Sequence, residues 1–245
     1  MVRSFLPPER WGEGEVALSG EEAHHLARVL RVRPGEAVTL FDGQGREADA
    51  KVARVAAGEV HLQLGASRVV PPPERTVALG VALPGNVKID EIIDQATQMG
   101  VSRIIPLVTE RTVVKLSPER WGAKQERLNR IALEAAKQCG VSRVPAIEPL
   151  TLWKEILPSF PRFNPVLIAA VEGPHEPLPA ILSAAKVGEV LVLIGPEGDF
   201  TPEELQGARR AGARPFSLGP TVLRCETAVV AALSLVSHFL RNGKP

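Results

Sequence analysis

The stretch Leu191-Val-Leu-Ile-Gly195-Pro-Glu-Gly198-Asp-Phe-Thr-Pro-Glu-Glu204 decides the fold class of this 245-residue chain. A short apolar run, typical of a fully buried strand, ends at a glycine-flanked loop. Thr201 is expected to cap a helix after the loop, with Pro202 at its first position and Glu204 completing a capping box. A strand, a loop and a helix in this order predict an α/β fold with a parallel sheet.

The same alternation continues on both sides of this stretch. Strands are predicted at 76–83, 103–108, 166–171, 190–194 and 216–218. Helices are predicted near 86–99, 118–139, 151–157, 177–185, 201–211 and 224–241. Short apolar strands that alternate with helices indicate a parallel sheet covered on both faces, so an α/β domain is expected from about residue 74 to the end.

A different pattern lies before Pro71-Pro72-Pro73, a run that favours extended backbone and marks a boundary. Within residues 1–70, short alternating runs are separated by turns that contain glycine, which indicates β-hairpins. These runs lie at 37–41, 47–55 and 60–64. They predict a small β-barrel-like domain.

One helix interrupts the hairpins. Ser19-Gly-Glu-Glu22 predicts a capping box at its start, and Pro34-Gly35 predicts its end. Its buried stripe is expected to comprise Ala23, Leu26, Val29 and Leu30.

The opposite face of that helix is cationic, because His24, Arg28 and Arg31 follow one another at i, i+4 and i+7, with His25 and Arg33 near the edges. Such a face on a small β domain is typical of proteins that bind RNA phosphates. The alternative is an ordinary solvated helix face. A metal site at the two histidines is disfavoured, since no third ligand is near in sequence.

Two glycine–proline loops follow predicted strands, at Gly195-Pro196 and Gly219-Pro220. Ligands of open α/β sheets bind at the carboxyl ends of strands, and glycine lets the backbone approach a ligand closely. The loops carry neither the GxGxxG nor the P-loop pattern, and Glu197 would repel a phosphate. They therefore favour a ligand without phosphate, although an ordinary turn remains the alternative for the first loop.

Arg224 and Glu226 follow the second loop and would flank a pocket that the two loops face. The alternative is a surface ion pair near a helix start. The helix that begins there is apolar over most of its circumference, with Val229, Leu233 and Val236 on one stripe. A helix of this kind is buried by more than one neighbour, within the fold or against a second subunit.

The composition excludes several classes of protein. With 29 Lys+Arg against 28 Asp+Glu, the net charge is +1, which excludes a globally basic nucleic-acid binder but leaves room for a basic patch. No apolar run approaches 18 residues, and no signal peptide is expected. The two cysteines lie far apart, which excludes a disulfide scaffold and a cysteine zinc site and suits a cytoplasmic setting.

Taken together, the motifs resemble the ribosomal small-subunit methyltransferase E family of the SPOUT class, over nearly the whole chain. The matching segments begin with Arg3 and Phe5, and continue with His24-His25-Leu26, Gln95 to Val101, Arg130 to Gln138, Ile194 to Gly198 and Leu218 to Thr227. Arg3 and Arg130 lie in these segments and join His24, His25, Arg28, Arg31 and Arg33 as RNA-binding candidates.

The resemblance implies a PUA-like domain over 1–70 and a methyltransferase domain with a deep trefoil knot over 74–245. It implies S-adenosylmethionine as the cofactor, held by the loops after Val171, Ile194 and Leu218. The implied cofactor contacts are Val171, Ile194, Gly195, Glu197, Gly198, Leu218, Gly219, Leu223 and Thr227. It also implies a homodimer through the knotted domain, and no metal is required.

The implied activity is methylation of N3 of one uridine, 1498, in 16S rRNA of the small ribosomal subunit. Arg224 would stabilise the uracil anion and Glu226 would accept its proton. Two alternatives stay open: a related enzyme that methylates a ribose 2′-hydroxyl, and an RNA-binding protein of the same fold without catalytic activity.

Overall fold

The computed structural model describes residues 2–84, 89–112, 118–185 and 187–242. The chain divides into two compact units. The first comprises Met1–Pro72 and Leu133–Val144, and the second comprises Pro73–Ala132 and Pro145–Pro245.

The first unit contains a five-stranded sheet. Its strands are β1 (Val2–Phe5), β2 (Glu15–Ser19), β3 (Ala37–Phe41), β4 (Arg46–Ala56) and β5 (Glu59–Val69). They lie in the order β1-β3-β4-β5-β2, with β1 parallel to β3 and the other pairs antiparallel. The predicted hairpin strands are confirmed, whereas β1 and β2 were not predicted. No ladder joins β1 to β2 in the described part of the chain, so the five strands of the expected β-barrel-like domain form an open path.

The helix of this unit differs from its prediction. It runs as α1 (Gly20–His24) and then widens into a π-helical turn at His25–Val29. Ala23 and Leu26 are buried as expected, but Val29 and Leu30 are 59% and 43% exposed. The π turn explains the difference, because its extra residue per turn rotates the following side chains out of the 3.6-residue stripe.

The predicted capping box at Ser19 is also wrong. The Ser19 side chain makes no capping hydrogen bond. Glu22 instead accepts hydrogen bonds from the Ser4 hydroxyl and from the backbone N–H of Phe5, with 2.9 Å between Phe5 N and Glu22 Oε2. A tertiary contact thus takes the carboxylate that the sequence pattern assigns to the helix start.

Residues Leu133–Val144, which the sequence places in the second domain, group with the first unit by their contacts. Lys137 is buried and bonds to Glu22 at 2.7 Å and to Glu134 at 2.5 Å. Burial disfavours the lysine's charge, but these hydrogen bonds outweigh it and hold the pKa of Lys137 above its usual value. Ser142 accepts a hydrogen bond from Arg3 at 3.0 Å. These long-range pairs leave no local signal in the sequence.

The second unit is built on a parallel sheet with the strand order β12-β10-β11-β6-β7-β8, and β9 pairs with β7. Its strands are β6 (Arg75–Ala82), β7 (Arg103–Val108), β8 (Ala146–Ile147), β9 (Thr151–Leu152), β10 (Val166–Ala169), β11 (Gly188–Ile194) and β12 (Arg214–Phe216). Its helices are α2 (Ile89–Gln98), α3 (Pro118–Cys139, shared with the first unit), α4 (Trp153–Ile156), α5 (Leu178–Ser183), α6 (Pro202–Arg210) and α7 (Cys225–Asn242).

The predicted α/β alternation is confirmed in this unit, and β7 and α3 have the predicted bounds. The strand predicted at 216–218 lies instead at 214–216, across Pro215. A proline is tolerated there because β12 is an edge strand. The four residues from Leu191 to Ile194 are at most 2% exposed, which places the deciding stretch in the sheet core.

The apolar surface of α7 is packed against other elements of the second unit. The helix packs against α2, α5, β6 and β11. Val229, Leu233 and Val236 are fully buried by these neighbours, whereas Leu235 is 41% exposed. In the described residues, no helix is long and apolar enough to cross a membrane.

Candidate functional site

A cavity of about 300 Å³ lies at the carboxyl ends of β10, β11 and β12. The three loops that follow these strands form its walls, and the start of α7 completes it. Its position is the one expected of a ligand site in an open parallel sheet. We call it the loop cavity.

Most of the predicted cofactor contacts line the loop cavity. They are Val171, Ile194, Gly195, Glu197, Leu218, Gly219 and Leu223. Gly198 lines a neighbouring cleft instead, and Thr227 is exposed and lines neither space. The three segments named by the sequence are therefore brought together, although two of the nine residues are not on the cavity wall.

The lining of the loop cavity suits a ligand without phosphate. Its wall contains no lysine or arginine among the described residues, and apolar side chains such as Ile194 and Leu218 alternate with glycine backbone. Glu197 places a carboxylate on the wall, where it favours a ligand with positive charge. Gly219 has φ +124°, and a Cβ there would point into open space.

Asp199 connects two of the loops and was not predicted from the sequence. Its Oδ2 accepts a hydrogen bond from Val171 N at 2.9 Å, and its Oδ1 accepts one from Phe200 N at 2.8 Å. It adopts φ +61°, a left-handed conformation that aspartate tolerates better than most residues. The sequence does contain one signal that points to Asp199, since it is an aspartate beside the glycines of a predicted ligand loop.

Gly195 lies against this connection. A Cβ on Gly195 would come within 3.1 Å of Asp199 Oδ1 and 3.2 Å of the Phe200 ring. A larger residue at position 195 would therefore displace the loop itself, in addition to filling ligand space.

The helix after the loop begins as predicted. Thr201 Oγ1 accepts from Glu204 N at 3.2 Å, and Glu204 Oε2 accepts from Thr201 N at 3.0 Å, which confirms the capping box. The second carboxylate oxygen of Glu204 accepts from Glu110 N at 2.9 Å. One side chain thus fixes the exit of the loop after β11 and the segment after β7.

A second, more open cleft of about 730 Å³ adjoins the loop cavity. The two spaces share Val171, Glu197, Asp199 and Val222. Val171 and Val222 are 53% and 72% exposed, so an apolar rim separates the two spaces.

Two arginines hold the backbone around this cleft. Arg111 donates a hydrogen bond to the carbonyl of Gly198, and Arg209 donates one to the carbonyl of Pro174 at 3.2 Å. Both side chains remain exposed, so their other N–H groups face solvent.

The thiol of Cys225 lies on the cavity wall and is only 3% exposed. Burial, together with the negative charges of Glu197 and Glu226, raises the pKa of Cys225 to about 12. The thiol is therefore neutral at physiological pH and serves as an apolar wall rather than as a nucleophile.

His175 also lines the cavity and was not predicted. Its Nε2 lies 2.9 Å from the Ala170 carbonyl oxygen, to which it donates a hydrogen bond. This bond orients the ring and leaves Nδ1 as the nitrogen that can meet another group.

Arg224 and Glu226 are adjacent to the cavity but do not line it. Arg224 is exposed, and Glu226 is partly buried. The alternative of an ion pair between them is wrong, because no such pair forms in this described segment. The Arg224 guanidinium has no hydrogen bond or ion pair with any residue that the structure describes.

The RNA-binding candidates fall into two groups. His24, Arg28, Arg31, Arg33 and Arg130 are exposed, and His25 is half-buried. Arg3 differs, because its side chain is 14% exposed and is bound to Glu47, to Ser142 and over the Phe41 ring. Arg3 is therefore held by internal partners, unlike the exposed cations, and RNA binding by this residue stays a prediction.

Metal ligands were not expected. In the ranges that the structure describes, no three His, Cys, Asp or Glu side chains cluster as a metal site would require. His24 and His25 in particular have no third partner of this kind there.

Comparison with protein families matches both units. The family described as an RNA methyltransferase domain matches residues 71–237, and the family described as an RNA methyltransferase PUA domain matches residues 18–65.

Comparison with individual proteins covers nearly the whole chain. Ribosomal RNA small subunit methyltransferase E of Bacillus subtilis (strain 168) is 30% identical over 231 residues, which span 91% of this chain and 89% of that protein. The protein of the same name from Mycobacterium bovis is 33% identical over 227 residues, which span 91% and 86%.

A solved structure extends the likeness to three dimensions. It is that of a ribosomal RNA small subunit methyltransferase E from Neisseria gonorrhoeae bound to S-adenosyl methionine. It matches with a TM-score of 0.87 and 29% identity, and the match covers 98% of both chains.

Proposed function

Because this chain belongs to the ribosomal RNA small subunit methyltransferase E family, we propose that it methylates N3 of one uridine, 1498, in 16S rRNA of the small ribosomal subunit. It is an S-adenosylmethionine-dependent rRNA methyltransferase. The observation that carries the proposal is the loop cavity, which brings three predicted ligand segments together beside an open cleft.

The residues present fit S-adenosylmethionine. This cofactor carries a positive sulfonium and no phosphate, and the loop cavity offers the carboxylate of Glu197 and no basic side chain in its described wall. Cys225, kept neutral by burial, adds an apolar surface. When bound, the cofactor supplies the methyl group. We assign its binding to Val171, Ile194, Gly195, Glu197, Leu218, Gly219 and Leu223, with Gly198 and Thr227 at the margin.

The acceptor nitrogen needs help from the protein. N3 of uracil carries a weakly acidic proton, which must leave before the nitrogen becomes nucleophilic. A cation beside O2 or O4 stabilises the anion, and the exposed, unpartnered guanidinium of Arg224 is available for this role. Glu226 is the proposed proton acceptor, since its charge already acts on the cavity wall at Cys225.

The base must also reach the cofactor. N3 lies on the pairing edge, so the uridine has to be unpaired or flipped out of its helix. The open cleft beside the loop cavity has room for it, and Val171 and Val222 offer apolar contact to a flat ring at the shared rim.

The first unit is proposed to hold the surrounding rRNA. Its exposed cations lie on the π-helical turn and just beyond it, at Arg28, Arg31 and Arg33, with His24 and His25 beside them. Arg130 on α3 is an exposed cation of the second unit and is proposed to add to this binding. Phosphate contacts of this kind position an RNA without reading its sequence.

Two structural features complete the proposal. A trefoil knot is supported by β11, which lies between β6 and β10 although it follows both in the chain, and by α7, which packs back on β6 and β11. A homodimer through the second unit is supported by exposed apolar surface on α7 at Leu235.

The cellular setting follows from the cysteines. Both cysteines of the chain, Cys139 and Cys225, are free thiols, which suits the cytoplasm, where ribosomal subunits are assembled.

The decisive experiment is methyl transfer from labelled S-adenosylmethionine to small ribosomal subunits that lack the mark. We expect one labelled nucleoside, 3-methyluridine, mapped to position 1498. Labelled 2′-O-methylnucleoside would favour the ribose-methylating alternative. Cofactor and RNA binding without any transfer would favour the non-catalytic alternative.

A further inference from the structure

A second feature of the first unit is a stacked pair of side chains, Trp11 and Arg46. The Arg46 guanidinium carbon lies 4.5 Å from the centroid of the Trp11 ring. The indole N–H donates to the Leu6 carbonyl at 2.7 Å, which fixes the ring's orientation. The ring also packs against the apolar core of the first unit, so the pair is a preformed stack in which the guanidinium covers the ring.

The charge of Arg46 has no anionic partner. Its side chain forms no hydrogen bond or ion pair with any residue in the described ranges, and its hydrogen bonds with Asp42 are made by its backbone N–H and carbonyl. Arg68, which extends from the neighbouring strand β5, is paired with Glu47 and Asp49 instead. A half-buried guanidinium whose donors are all free is available for an anionic ligand.

The pair lines a concavity of about 270 Å³, which we call the Trp11 pocket. Gly12, Gly14 and Gly65 form much of its wall, so backbone polar groups are accessible there. Val69 is the cross-strand partner of Arg46 and is 69% exposed, which adds apolar surface on the same face of the sheet. Glu13 is the one carboxylate among the lining residues described.

We propose that the Trp11 pocket binds an unpaired RNA nucleobase, with the adjacent phosphate on Arg46. Bases stack on arginine planes as well as on aromatic rings, and a guanidinium already stacked on Trp11 offers such a plane together with a phosphate contact, so this pair is suited to single-stranded RNA. The proposal rests on the RNA-directed function given above, but it names a site away from the cationic π-turn residues and from the loop cavity.

Intrinsic fluorescence gives a direct test, because the other two tryptophans, Trp121 and Trp153, are 4% and 6% exposed. We expect a hexauridylate oligonucleotide to quench the wild-type fluorescence saturably, since a stacked base quenches Trp11 and leaves the buried rings unaffected. Trp11→Phe should retain RNA binding, measured by anisotropy of labelled hexauridylate, but lose this quenching.

Arg46→Met tests the cation without removing the ring. We expect the affinity for hexauridylate to fall about 5- to 100-fold and the slope of log affinity against log salt to decrease by about 0.7. Arg54→Met is the matched control, because Arg54 is already paired with Glu15 on the same sheet. That variant should bind as the wild type does.

The proposal is overturned if Arg46→Met keeps the wild-type affinity and salt slope, or if saturating hexauridylate leaves the fluorescence unchanged. Quenching by polyglutamate but not by RNA would also overturn it, in favour of an acidic protein partner. Failure of the wild type to methylate ribosomal subunits while quenching persists would refute the proposed function alone.

Discussion

The carboxylate of Asp199 joins two walls of the loop cavity, because its Oδ2 lies 2.9 Å from the backbone nitrogen of Val171. The other oxygen holds Phe200 N within the loop after β11. The spacing between these loops, and hence the width of the cavity, depends on one side chain that does not belong to any predicted set of ligand residues.

Asp199→Gly should weaken cofactor binding about 10- to 100-fold. Glycine accepts the positive φ of this position but removes both hydrogen bonds, and bonds to a charged acceptor are worth about 1.5–3 kcal/mol each. Asp199→Asn keeps an acceptor toward Val171 and should lose less. Calorimetric titration with S-adenosylmethionine gives the affinity of each variant. Equal affinities for wild type and Asp199→Gly would contradict the role of Asp199 in holding the two loops together.

Cys225 should make stability depend on alkaline pH. The folded protein holds this proton up to a pKa of about 12, whereas the unfolded thiol releases it near pH ~8.5. The stabilisation is therefore complete below pH ~8.5 and is lost at about 1.4 kcal/mol per pH unit as the pH rises toward 12. In urea unfolding experiments, the free energy of unfolding of the wild type should be about 2 kcal/mol lower at pH 10.5 than at pH 8.5. Cys225→Ser should not show this difference. If the free energy of unfolding falls equally with pH in the wild type and in Cys225→Ser, Cys225 is not the source of the alkaline loss.

Arg224→Ala should separate chemistry from binding. If Arg224 stabilises the uracil anion, single-turnover methylation should fall by about 10²–10³, the usual loss when one charge-stabilising donor is removed. Cofactor and RNA affinities should change little, since the negative charge that Arg224 stabilises develops only as N3 of the uracil loses its proton. A wild-type single-turnover rate would shift the role to another cation, with exposed Arg111 beside the cleft as the first candidate.

The double change Arg28→Ala and Arg31→Ala should weaken rRNA binding and lower its salt dependence by about one unit for each lost phosphate contact. Both side chains are exposed in the first unit, so cofactor affinity should not change. RNA titrations at several salt concentrations provide the measurement. Unaltered affinity and slope would show that this face does not contact RNA.

Leu235→Glu should yield a folded monomer if α7 contributes to a dimer. Leu235 is 41% exposed in the single chain, so the new charge is solvated in the monomer and buried only at an interface. Leu233→Glu is the contrasting variant, because Leu233 is fully buried and the charge should unfold the chain. Sedimentation resolves the oligomeric state, and a wild-type monomer at micromolar concentration would exclude the dimer.

The sequence predicts what local chemistry determines. The capping box at Thr201 forms because its partners lie three residues apart and compete with no other contact. The same pattern at Ser19 fails because Glu22 meets Ser4, Phe5 and Lys137 from distant parts of the chain. Capping motifs are thus reliable only where tertiary contacts leave the side chain free.

The candidate site also combines features that the sequence predicts with features that depend on tertiary contacts. Glycine loops at strand ends identify the cavity walls, since glycine and strand pattern are both visible in the sequence. The cross-link by Asp199 and the orientation of His175 depend on which loops become neighbours, and no spacing encodes that. Arg3 shows the converse, because an arginine in a matching motif is bound by internal partners.

The position of β11 between β6 and β10 has a consequence for synthesis on the ribosome. Thr76 on β6 meets Glu189 on β11 across a sequence separation of 113 residues, whereas β7 covers the other side of β6 much earlier. One edge of β6 therefore stays open while the intervening chain is made, and an open strand edge invites association with other chains. The nascent second unit covers this edge only after β11 has left the exit tunnel, so its folding is late and depends on protection of that edge.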